Sequence, residues 1–149
     1  NDHLRSEQIG TLSQGLYASA DYLDRIGMLS HPSELNQYAW VDTLKSEQND
    51  IALEHDTQGC VSFDLPKSRL TVDQYILHAE AIIRGKGVGL LPHYFAGKHL
   101  SRHPEVFVSC LPEWKGKPLP VYLQYPFGHL PKKMQTLIQY LREEAKAFY

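Results

Sequence analysis

His99 and His103 stand four residues apart with His93 shortly before them, a spacing at which two imidazoles on one helix could share a metal ion. Their neighbours argue against it. Gly97 weakens a helix there, Pro104 biases His103 out of helical geometry, and no acidic ligand follows at useful spacing, so surface histidines are the favoured reading. Glu54 and Asp56 flank His55, but adjacent residues on a strand point to opposite faces and cannot act as a concerted acid–base pair. Gly85, Gly87 and Gly89 follow a helical pattern and precede a strand, whereas a phosphate-cradling loop follows a strand and opens a helix. GxSxG, P-loop and HExxH motifs are missing. No catalytic residue, metal or cofactor is therefore assigned, and no enzyme is expected. Cys60 and Cys110 belong to no CxxC pair and read as free, packed thiols, and Cys60 has no near neighbour to act as a resolving thiol. What remains is a binding chemistry. Ser19 and Asp73 mark strand-to-helix junctions, where unpaired amides favour anions or carboxylates. Capping and ligand contact can coexist at such residues.

The elements that position these residues follow from local pattern. Gly15 to Ala18 reads as a short strand leading to Ser19, which caps a helix carrying Tyr22, Leu23 and Ile26 and stopped by Gly27. His31, Pro32 and Ser33 open a short second helix, and Ala39 to Leu44 and Ile51 to Glu54 read as strands. Between Thr57 and Lys67 the turn residues suggest no long element. Arg69 to Val72 is a strand, with Asp73 as N-cap of a helix whose Tyr75, Ala79, Ile82 and Ile83 share one face. Gly85 ends that helix, and Val88 to Leu91 reads as a strand covered on both faces of a parallel sheet. A short helix around Tyr94 to Leu100, a strand from Val106 to Leu111, a turn through Pro112 to Pro118 and a buried strand from Leu119 to Tyr125 come next. Pro131 suits the first position of a final helix with Met134, Leu137, Ile138, Leu141 and Ala145 on one stripe. Trp40, Tyr94, Phe95 and Trp114 read as core more than as ligand contacts. Alternating strands and helices indicate an α/β fold with helices on both faces of a mixed sheet.

Composition agrees. With 149 residues, 42% hydrophobic and 21% charged, the chain suffices for one core. A formal charge of −2 with scattered basic residues offers no field for nucleic acid or an acidic membrane. No apolar run approaches the ~20 residues that span a bilayer, and no export signal opens the chain, so a cytoplasmic protein is expected. The opening NDHLRSEQIGTLSQ lacks an initiator methionine, which suggests that the numbering starts partway into a longer protein.

Three phrases occur in a telling order: LYASADYLDRIG with HPSEL close behind, GKGVGLLP, and LPVYLQYP followed by one long amphipathic helix. Together they resemble the effector-binding domain of LysR-type transcriptional regulators, from about Ile9 to Ala145. The resemblance implies the fold of type-2 periplasmic binding proteins, in which two α/β lobes are joined by two crossing strands around an effector cleft. It implies one complete lobe, residues 19–117, and a truncated remainder of the other, residues 1–18 and 118–149. Gly15 to Ser19 would be the first crossing and Leu119 to Tyr125 the second. The helix-turn-helix and the opening elements of the first lobe are not among these residues, and a lobe so reduced would expose the final helix's apolar stripe and favour self-association.

The implied function is the sensing of a small-molecule co-inducer, with Ser19, Asp73, Gln74, Tyr75 and Ile76 as effector-binding residues. The implied partners are that effector, a homodimer or tetramer, and DNA only through an N-terminal domain not present here. No membrane is involved. The alternative is a stand-alone solute-binding domain serving a transporter, which an upstream signal peptide would mark as an upstream winged helix marks a regulator. A small-molecule enzyme on the same fold would show turnover. Asp73 stands where the family often has neutral Asn, Ser or Thr. A carboxylate there repels an anion by about 1 to 4 kcal/mol at 4 Å, so a neutral, amine-bearing or zwitterionic effector is expected.

Overall fold

The run QGLYAS has no polar face to offer solvent, and the chain buries every residue of it. The computed structural model describes residues 4–43, 49–66, 69–102 and 107–149, with backbone alone at 75, 76 and 99–102. QGLYAS forms strand β2 (Gln14–Ser19), after β1 (Leu4–Leu12) and before helix α1 (Ala20–Ile26) and a 3-10 helix (Pro32–Gln37). Then come β3 (Val41–Thr43), β4 (Asp50–His55), β5 (Gly59–Asp64), β6 (Leu70–Val72), α2 (Tyr75–Ile83), β7 (Gly89–Pro92) and α3 (His93–Arg102). The chain ends with β8 (Phe107–Lys115), β9 (Leu119–Pro126) and α4 (Lys132–Ala145).

The described fold divides into two compact units, Ser13–Lys117 and the pair of segments Asn1–Leu12 and Pro118–Tyr149. The larger is built on a five-stranded sheet ordered β5-β4-β8-β2-β7. Beyond β7 the backbone continues into a parallel pair, β3 and β6. The link is a parallel bridge of Trp40 to Val88, with the Val88 amide donating to Ala39 O and the Val41 amide to Val88 O, both at 2.9 Å. Alternation along β2 supplies two cores. Leu16 and Ala18 join Tyr22, Leu23, Leu35, Trp40, Leu53 and Trp114 on one face, while Tyr17 joins Val41, Ala79, Ile82, Leu91 and Phe107 on the other. Helix α1 and the 3-10 helix cover the first face and α2 and α3 the second, giving a mixed sheet between helical layers.

Several local expectations need correction. β7 is antiparallel to β2 and parallel only to the β3 side, through the Val88 bridge to Trp40, so the parallel-sheet expectation holds on one side alone. The segment after Thr57 is not irregular, because β4 and β5 form an antiparallel hairpin that turns Asp50, Glu54, Ser62 and Asp64 outward. The proline-rich stretch Pro112–Pro118 begins as strand. β8 carries a bulge between the pairs Leu16↔Cys110 and Gly15↔Lys115, with Leu111 at φ 52, and the extra residues swing Trp114 into the core. Residues 14–18 pair with β7 and β8 and so lie in the larger unit rather than with residues 1–12.

In the smaller unit β1 pairs antiparallel with β9, and α4 packs on β1. Arg142 grips Glu7 with two charge-assisted bonds of 2.7 Å, and the Tyr125 hydroxyl donates to the same carboxylate at 3.3 Å. The Arg142 bonds hold the Glu7 carboxyl below the usual carboxylate range. β9 alternates half-buried and exposed residues instead of being buried throughout, and Pro131 is the N-cap of α4 rather than its first helical residue. Ile138 and Ala145 are buried, but Met134, Leu137 and Tyr140 are exposed, so within this unit only part of the α4 stripe is covered.

Candidate functional site

Strand directions decide which sequence-predicted residues can meet. β7 and β8 both run antiparallel to β2, and β3 and β6 run parallel to β7. The carboxyl ends of β6, β3, β7 and β8 therefore share one edge with the start of β2. That edge carries Asp73 and Gln74 after β6, Thr43 at the end of β3, His93 after β7, Lys115 at the end of β8, and Gln14. Both α2 and α3 begin there, which directs the positive ends of their dipoles to it.

Asp73 is exposed and does not cap α2. The N-cap is Gln74, in extended geometry and without a side-chain bond to the helix, because the first helical residue is Tyr75 and Asp73 stands one position too early. Its carboxylate is thus not consumed by the helix amides. Tyr75 and Ile76 are the first two residues of α2.

Ser19 lies at the opposite edge. Its hydroxyl accepts from the Tyr22 amide at 3.1 Å, the N-cap bond expected from sequence, and a Cβ on Gly85 would sit 3.4 Å from Ser19 Oγ. Gly85 follows the carboxyl end of α2, so the nine-residue helix, about 13 Å long, separates Ser19 from Asp73 and Gln74. The structure brings Asp73, Gln74, Tyr75 and Ile76 together and leaves Ser19 out. Ser19→Ala should lower stability by about 1 kcal/mol through loss of the cap. A small-molecule affinity at the other edge should stay unchanged, as urea midpoints and binding isotherms on one variant would show.

Behind the edge His78 is buried under α2 at 4% exposure. Its Nε2 donates to Val41 O at 2.9 Å while Nδ1 has no partner among the described residues. Asp42, the acidic group beside it, is bound to Arg69 at 3.4 Å. Burial pushes the imidazole below its ordinary value, against smaller opposing effects of Val41 O and Asp42. An unfolded His78 takes up a proton near pH 6.5, the folded one only at lower pH. Its contribution to stability is complete above that value and is lost as the pH falls through the folded one. Urea midpoints between pH 7.5 and 5.5 should fall more steeply in the native protein than in His78→Leu.

The remaining sequence candidates separate from this edge. Cys110 is buried, with its thiol pushed up to about 12 by burial and hence protonated, whereas Cys60 is exposed rather than packed. The His99–His103 pair lies outside the described side chains. His55 accepts from the Thr57 amide at 3.1 Å, a turn-forming role, and its ring is tilted against Trp114. A groove of about 430 Å³ in the smaller unit is lined by Arg5, His129, Gln135 and Arg142 among others, but the Arg142 charge is already neutralised by Glu7.

Residues 1–146 match the family model described as the LysR substrate binding domain. The chain belongs to that family. This LysR domain is 32% identical over 139 residues to the iron-regulated virulence regulatory protein IrgB of Vibrio cholerae. The match covers 93% of the chain and 47% of that protein, so the chain spans about half the length of the curated relative. Among solved structures it resembles the full-length Vibrio cholerae virulence activator AphB, a member of the LTTR family, with a TM-score of 0.77 and 21% identity over 97% of this chain and 49% of that one. It also resembles the regulatory domain of CrgA, a LysR-type transcriptional regulator from Neisseria meningitidis, with a TM-score of 0.77 and 18% identity over 95% of this chain and 69% of that one. These two likenesses speak for the fold, a mixed α/β architecture consistent with the periplasmic-binding-protein-like class. Among the described residues no helix of the LysR domain is long and apolar enough to cross a membrane.

One residue of this LysR domain escaped the sequence reading. His93 was noticed only as a neighbour of His99, yet it opens α3 at the shared edge and its Nδ1 lies 2.8 Å from the Tyr17 hydroxyl. The signal was available in GVGLLPH, where the residue just past a strand's carboxyl end sits at the rim of an open α/β sheet.

Proposed function

We propose that this LysR substrate binding domain is the effector-sensing part of a DNA-binding transcriptional regulator. A small molecule would bind at the edge formed by the carboxyl ends of β3, β6 and β7, with Asp73, Gln74, Tyr75 and Ile76 as contacts. The observation that carries the reading is the α2 start: a helix N-terminus without a side-chain cap, preceded by an exposed carboxylate, at the strand ends of a chain matched by the family model over residues 1–146. Ser13–Lys117 would be the effector lobe, with the remaining residues contributing to its neighbour. Occupancy would change the geometry of a homodimer or tetramer, and DNA would be contacted by a helix-turn-helix domain outside these residues. Action on DNA makes the cytoplasm its place of work, and no catalytic step is required. The relatives matched are named as regulators, and no observation favours a transporter receptor.

A thermal-shift screen of metabolites against the full-length protein tests this. A ligand at a hundred times its dissociation constant should add about 2.7 kcal/mol, a shift of several degrees. The exposed Asp73 carboxylate predicts hits among amine-bearing or zwitterionic molecules, and Asp73→Asn should weaken them. A saturating screen with no hit, or tight binding of simple inorganic anions little improved by Asp73→Asn, would contradict the reading.

A further inference from the structure

Deepening the functional reading, on which it rests, we propose that His93, held by Tyr17 and flanked by Lys115, is a specificity-determining residue that receives a carboxylate of the effector. The imidazole is fixed from three sides. Its backbone amide donates to Ser13 O at 2.9 Å, its ring lies on Gly15, where a Cβ would come within 2.3 Å of the ring, and its Nδ1 faces the Tyr17 hydroxyl at 2.8 Å. A side chain at position 15 would therefore displace the ring. Tyr17 is 5% exposed, and with its O–H donating to Nδ1 the ring proton lies on Nε2, the tautomer this inference takes and its test reads. Burial first, and the Lys115 ammonium second, lower the His93 pKa, which favours the neutral ring.

Nε2 has no hydrogen-bond partner among the described residues. It is a donor on a half-buried ring that cannot rotate away without breaking the Tyr17 bond. The first turn of the ten-residue α3 and the exposed Lys115 side chain lie beside it and favour negative charge, with the exposed Glu54, opposite Lys115 across β4 and β8, as the competing carboxylate. Asp73, at the end of β6, is two strands from β7 and thus about 10 Å away, too far to neutralise the site but near enough for the amine of the same small molecule. A zwitterion satisfies both ends.

The test uses the full-length protein with 15N-labelled histidine and acetate, glycine and methylammonium as probes, read by the imidazole nitrogen resonances. In the free protein His93 should show the Nε2–H tautomer, and Tyr17→Phe should mix the two tautomers. Acetate and glycine should shift the His93 Nε2 resonance saturably, while methylammonium and matched chloride leave it in place. Lys115→Gln should weaken acetate roughly fivefold, the effect of one nearby exposed charge. An unresponsive His93, or an acetate response unchanged in Lys115→Gln, overturns the assignment. A screening hit that moves the Asp73 to Ile76 amides but not His93 overturns this inference while sparing the proposed function, whereas the absence of any hit strikes the proposed function itself.

Discussion

Gly87→Ala is expected to lower the unfolding free energy by about 3 to 5 kcal/mol, the sum of backbone strain and two lost hydrogen bonds. Gly87 adopts φ +153, and a Cβ there would stand 2.5 Å from Ala39 O and 2.7 Å from Ala39 C, both backbone atoms with no rotamer to escape into. The chain before β3 must therefore withdraw, which breaks the bonds of Val88 and Val41 that tie β7 to β3. Those bonds also hold the ends of β3, β6 and β7 on one edge, so any ligand of that edge should bind poorly. Gly59→Ala is the control. Gly59 also has positive φ, at +73, but a Cβ would meet nothing within 4 Å, so only about 1 kcal/mol of strain is expected. Melting curves should place Gly87→Ala about 10 to 20 °C below the native protein. Equal shifts for the two glycines would show that the Ala39 contact does not matter.

Trp114→Ala should cost about 3 to 5 kcal/mol, the range for removing a buried tryptophan. Trp114 is 4% exposed, and its ring stands 5.2 Å from Phe63, 5.7 Å from His31 and 4.8 Å from His55 by centroids. It therefore knits the β4–β5 hairpin and the 3-10 helix to β8. Trp114→Phe, which keeps an aromatic ring, should lose markedly less. Urea denaturation measures both. A loss below about 1 kcal/mol in Trp114→Ala would mean that the bulge after Leu111 does not place this ring in the core.

Much of the fold was legible where the residue type dictates one local geometry. Ser19 caps α1 as expected, Gly27 and Gly85 take positive φ at the ends of α1 and α2, and Ala79 and Ile82 face the core. The misreadings arose where tertiary partners decide. GCVSFD looks like turn sequence because its strand is half exposed and its register comes from β4, not from its own hydrophobicity. The continuous apolar run of β7 cannot reveal strand direction, since burial on both faces gives the same pattern in parallel and antiparallel settings. Asp73 and Gln74 both suit a helix start, and the one-residue choice rests on backbone angles. For the candidate site, grouping Ser19 with Asp73 treated every strand-to-helix junction as equivalent. β2 runs against β3, β6, β7 and β8, so its junction falls on the far edge. The antiparallel sense of a central strand is a non-local property that no residue of QGLYAS encodes.

The edge at which a small molecule is held is the central question for this LysR domain. Backbone amide hydrogen exchange of the full-length protein, with and without a metabolite that raises its melting temperature, measures that directly. Protection concentrated at Asp73 to Ile76 and at the start of α3 is the predicted result. Protection confined to Ser19 and α1, or to the Arg5, His129 and Arg142 groove of the smaller unit, would contradict it.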